Sequence, residues 1–102
     1  MSADSPQLVI AKRLIDHLKL RGFQFQRTAS GADAPLIGHR VSDDWSDTIL
    51  IEGFSHGCHA WRQRASILIA PRDGLIERQV KGSARIVLNE VLTWENGHPV
   101  HR

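Results

Sequence analysis

The chain has 102 residues, 41% of them hydrophobic and 24% charged, and a formal net charge of +2 with its six histidines neutral. This length supports a single domain over residues 1–102 that buries roughly 65% of its unfolded surface, with loose ends near 1–4 and 98–102. The composition speaks against general disorder, and a single cysteine excludes an internal disulfide framework.

Apolar runs stop at three or four residues, far short of the ~20 that cross a bilayer. The start, Met-Ser-Ala-Asp-Ser-Pro, lacks a secretory pattern. A reducing cytoplasm is therefore the expected compartment. Ten of the thirteen basic residues are arginine, the side chain suited to bidentate contacts with carboxylate or phosphate.

Ser5-Pro6 reads as a helix start, since proline lacks an N–H that the first turn would leave unbonded anyway. Leu8, Ala11, Leu14, Ile15 and Leu18 then recur at helical spacing, and Gly22 suits the left-handed residue that closes the helix. Phe23 to Thr28 alternates as a half-buried strand, with both phenylalanines inward. Residues 29–34 form a loop. Leu36–Val41 predicts a second strand with Ile37, His39 and Val41 on one side, and Gly38 marks a possible bulge. Ser42–Asp47 reads as a turn, or as one turn of helix capped by Ser42.

Thr48–Glu52 predicts a third strand. A five-residue hairpin loop over Gly53–Gly57 sets Glu52 opposite Cys58. His59 and Trp61 then join Ile51 and Ile49 on the core face, while Arg62 and Arg64 project outward. Asp73-Gly74 predicts a tight hairpin between the apolar runs of Ser66–Val80, and its pairing sets Ile67 opposite Val80. After Gly82-Ser83 the period turns helical through Ala84, Val87, Leu88, Val91 and Leu92, ending before Asn96-Gly97. The fold class is α+β: a mostly antiparallel sheet of about five strands, with an N-terminal and a C-terminal helix packed on one face.

The stretch Gly53–Arg64 concentrates the unusual side chains. His56, Cys58, His59 and His39 carry zinc-type donors, but Cys58 and His59 are strand neighbours that point to opposite faces. They match no established ligand spacing. Cys58 as a nucleophile beside a histidine, or Asp43, Asp44 and Asp47 as acid–base or magnesium groups, would give a small hydrolase. Aspartates between strands more often cap turns. No glycine-rich phosphate loop or helix-turn-helix is present, and no cofactor is expected.

The stronger expectation is a non-enzymatic binding or regulatory module. It would act through a sheet face centred on Arg62, Arg64 and Arg72, with Phe54 and His56 at its edge. Leu50, Leu68 and Leu75 interleave with these arginines, which favours a protein partner or self-association. Nucleic acid gripped by the same arginines is the alternative, and no membrane is expected.

Overall fold

The structure is a computed structural model that describes residues 6–29, 34–42, 45–53, 57–64 and 76–94. The elements run α1 (Pro6–Leu20), β1 (Gln24–Arg27), β2 (Leu36–Val41), β3 (Trp45–Ile51), β4 (Cys58–Arg64), β5 (Ile76–Gly82) and α2 (Ala84–Leu92). The strands form one antiparallel sheet in chain order, β1 to β5. This is the expected α+β architecture. No helix among the described residues is long and apolar enough to cross a membrane.

Helix α1 buries Ala11, Ile15 and Leu18, the stripe its spacing predicts. It closes on Gly22 at φ +102°. The Gly22 N–H bonds Lys19 O at 3.1 Å and the Phe23 N–H bonds Leu18 O at 3.0 Å. Those two bonds satisfy carbonyls the helix would leave open, and only glycine takes that φ cheaply. The turn delivers Phe23 straight into the core. Helix α2 starts on Ser83, whose side chain accepts from the Ile86 N–H. It buries Ala84, Val87, Leu88 and Val91, and Trp94 just beyond its end is 1% exposed. Trp94 completes the core and lay outside the expected stripe.

Both helices cover the same side of the sheet. Ile49, Ile51, Cys58 and Ala60 meet Ala11, Ile15, Leu18, Val87, Leu88 and Val91 in one cluster, with Phe25, Leu36 and Val80 packed against it. Cys58 and Ala60 are small, which suits the close approach of α2 to β4. Gly38 makes no bulge: β2 pairs continuously with β1 and β3. It sits opposite Phe25, where an added Cβ would lie 2.5 Å from Cε2 of that ring. The glycine leaves space for the phenylalanine.

Two expectations are corrected. Strand β3 begins at Trp45, so Asp47 is a strand residue and not part of a turn. The β2–β3 turn is shorter, and Ser42 closes it by accepting from the Trp45 N–H. Second, Ile51 pairs with Cys58, Ile49 with Ala60 and Asp47 with Arg62, one residue away from the expected register. Because strand side chains alternate, that single step turns all of β4 over. Strand β5 adds to β4 with Val80 opposite Ala60, and the register shifts between Arg62 and Gln63. The expected Asp73-Gly74 turn and the 66–72 strand lie outside the described residues.

Candidate functional site

One cross-strand row decides how the sheet is oriented. Arg40, Asp47, Arg62 and Arg78 stand directly opposite one another on β2, β3, β4 and β5. Asp47 is 1% exposed, Arg62 3% and Arg40 5%. The Asp47 carboxylate accepts from Arg40 Nε and Nη2 at 3.1 and 2.8 Å. It also accepts from Arg62 Nε and Nη2 at 2.8 and 3.0 Å. Arg40 donates further to Arg21 O at 3.2 Å.

Aromatic rings flank both buried guanidiniums. Arg40 lies over Phe23 at 4.5 Å, and Arg62 lies over Trp45 at 4.8 Å and Trp94 at 5.6 Å. Ring quadrupoles stabilise cations, the more so away from water. No buried side-chain polar atom among the described residues lacks a partner. Arg40, Asp47 and Arg62 are therefore part of the core, while Arg78 at the end of the row is exposed.

Arg62, expected at the centre of an outward arginine face, is instead inside the protein on the helix-covered side. The expectation failed through the one-residue register. Arg64 is 60% exposed and meets Glu77 at 3.4 Å, with its guanidinium 5.6 Å from the Trp45 ring. Arg72, Phe54 and His56 lie outside the described residues, as do Asp43 and Asp44. Arg62 and Arg64 meet the same Trp45 ring, one buried and one exposed.

The metal and nucleophile candidates also separate. Cys58 points toward the helices, 2% exposed, and its Sγ donates to Gly53 O at 2.9 Å. Burial pushes its thiol pKa up from the ordinary 9.0, outweighing that hydrogen bond, so the reactive thiolate is disfavoured. His59 and His39 sit on the opposite side of the sheet. Among the described residues no three histidine, cysteine or acidic side chains cluster as metal ligands. Asp47 is held by two arginines and faces no open site.

The side of the sheet away from the helices carries a different set. Ile37, Leu50 and His59 form one row across β2, β3 and β4, and His39, Thr48 and Trp61 form the next. The His59 and Trp61 rings stand 4.9 Å apart at 48°. His59 Nε2 bonds Gln79 Oε1 at 3.2 Å, and His39 Nδ1 bonds Thr48 Oγ1 at 3.4 Å. Thr48 is only 5% exposed, although no described helix covers it.

The edges of this face differ from its middle. Strand β1 contributes Gln24 and Gln26, in register with His39 and Ile37. Strand β5 contributes Gln79 and Lys81, in register with Trp61 and His59. The middle is therefore aliphatic and aromatic, the flanks are amide and ammonium, and in these two rows Lys81 is the one permanent charge. Trp61, His59, Ile37 and Gln79 were not among the expected binding residues. The signal that would have found them is the Arg40–Asp47–Arg62 complementarity, which fixes the true register.

The fold and this face define a small α+β domain, a five-stranded antiparallel meander with two helices on one side and a mixed apolar and polar face on the other. Comparison of the chain with protein families, curated proteins and solved structures finds no match in any of the three.

Proposed function

We propose that this protein is a non-enzymatic binding module whose working surface is the sheet face around Trp61, Leu50 and Ile37 that no described helix covers (the helix-free face), and that its partner is a protein surface. The observation that carries the reading is the arrangement of that face: apolar and aromatic in the middle, with amides and the single ammonium of Lys81 at the flanks. Protein interfaces share this anatomy, with charge depleted at the core and tryptophan enriched. Nucleic acid is the weaker partner, because phosphate binding needs cationic side chains on the surface. In the two central rows of this face Lys81 is the one permanent cation, and Arg40 and Arg62 are turned inside on Asp47. The single buried cysteine suits a reducing compartment, so cytoplasmic placement belongs to the same proposal.

The test is affinity capture from the native cell with the wild-type chain, a Trp61→Ala/Leu50→Ala variant and an Arg64→Ala control. Protein partners should be lost with the first variant and kept with the control. Capture should also survive nuclease treatment and raised salt. An identical partner set for all three chains would overturn the proposal, and steep loss with salt together with recovered nucleic acid would redirect it.

A further inference from the structure

We infer that the occupant of the helix-free sheet face is a second copy of this chain, packed sheet on sheet in a reversible two-fold dimer. This rests on the reading of that face as a protein-binding surface and names its partner. Charge, size and the order of side chains across the sheet support it.

Charge comes first. A face selected for a foreign partner commonly carries a field complementary to that partner, which steers encounter. Here the two central rows hold Lys81 as their only permanent charge, so two copies meet without mutual repulsion. Size comes second. Strands lie about 4.8 Å apart and rise about 3.3 Å per residue, so five strands make a footprint of roughly 24 by 20 Å. That is about 500 Å² on each copy and roughly 1,000 Å² in total, the lower bound for a specific interface and the range of a weak, reversible one.

The order of side chains then selects the geometry. Aligned sheet packing keeps strand directions within about 30°. A two-fold axis running along the central strand β3 lays β4 of one copy over β2 of the other, and β5 over β1. Trp61 and His59 on β4 then meet Ile37 and His39 on β2, and Leu50 lies near the axis. Lys81 on β5 falls opposite Gln24 and Gln26 on β1, which accept a hydrogen bond from an ammonium without opposing its charge. An axis across the strands would instead set β5 over β5 and bring the two lysines to one edge. The isologous arrangement along β3 avoids this.

The experiment follows purified chain by sedimentation velocity from micromolar to roughly millimolar protein, the range in which a weak interface assembles. The wild type should pass from monomer to dimer mass. Trp61→Lys and Leu50→Lys should stay monomeric while keeping the wild-type circular dichroism spectrum. Ile86→Lys, on the exposed side of α2, should dimerise like the wild type. A dilution series of backbone amide NMR spectra on the unmodified protein makes the test independent of any folding defect. Shifts that move with concentration should map to Ile37, His39, Leu50, His59 and Trp61, with Arg85 and Ile86 unmoved.

A wild type monomeric throughout would overturn the inference. So would a dimer that Ile86→Lys breaks and the face variants leave intact. If the wild type is monomeric while Trp61→Ala/Leu50→Ala still loses a cellular partner, only the second-copy inference falls. If that variant also keeps every partner, the binding reading falls with it.

Discussion

Oδ2 of Asp47 accepts hydrogen bonds from Arg40 on one neighbouring strand and Arg62 on the other, at 2.8 and 3.0 Å. One carboxylate thus ties three adjacent strands together beneath the helices. Removing it takes the shared carboxylate away from two buried guanidiniums. Breaking a buried ion pair from one side costs about 3–5 kcal/mol. Asp47→Ala should therefore lower the urea midpoint sharply. Arg62→Met keeps an apolar stem between Trp45 and Trp94 and leaves Asp47 with Arg40. It should cost clearly less than Asp47→Ala, and the opposite ranking in equilibrium unfolding would refute this account of the row.

Gly38 and Phe25 make a second test of packing. An alanine Cβ at 38 would collide with the Phe25 ring at 2.5 Å. Overpacking of this kind costs about 1–3 kcal/mol. Gly38→Ala should fall in that range, and adding Phe25→Leu should return part of the loss. Strictly additive effects in the double variant would show that the two residues are not coupled.

Cys58 predicts a pH dependence whose sign follows from its burial. The folded state keeps the thiol proton at pH values where the unfolded chain has lost it, because burial raises the thiol pKa above its ordinary 9.0. The resulting stability is present in full below about pH 9 and is lost as pH rises through the folded value, with a limiting slope of about 1.4 kcal/mol per pH unit. Wild type and Cys58→Ala, unfolded in urea from neutral to alkaline pH, should diverge in slope above pH 9, the wild type falling faster. Parallel curves would contradict the burial effect. At neutral pH the native thiol should react with a disulfide reagent far more slowly than in denaturant.

Trp94 and Trp61 should separate stability from binding. Trp94 is 1% exposed and its indole N–H donates to Glu90 Oε2 at 3.2 Å. Trp94→Ala should cost about 3–5 kcal/mol, the usual range for a buried aromatic. Trp61 stands half-buried on the helix-free face, so Trp61→Ala should cost markedly less stability while abolishing capture of the partner. Equal stability losses at the two positions would mean that Trp61 is a core residue after all.

The sequence by itself determined the elements and much of the pattern within them. Helical spacing selected Ala11, Ile15, Leu18, Val87, Leu88 and Val91, all of them buried, and Gly22 marked the end of α1. Alternation showed that Ile49 and Ile51 share a face, as do His59 and Trp61. Those relations are local, fixed by the periods of 3.6 and 2 residues. What alternation leaves open is which face of β4 meets which face of β3. That depends on the loop between them, and a one-residue change in pairing exchanges every inward and outward side chain. Apolar pairing by itself favoured Trp61 against Ile49. Tertiary structure chose Asp47 against Arg62, because a buried arginine needs a carboxylate and aromatic rings within reach, and because small Cys58 and Ala60 let α2 approach the sheet. That choice moved the arginine into the core and turned the tryptophan out to the face now proposed to bind.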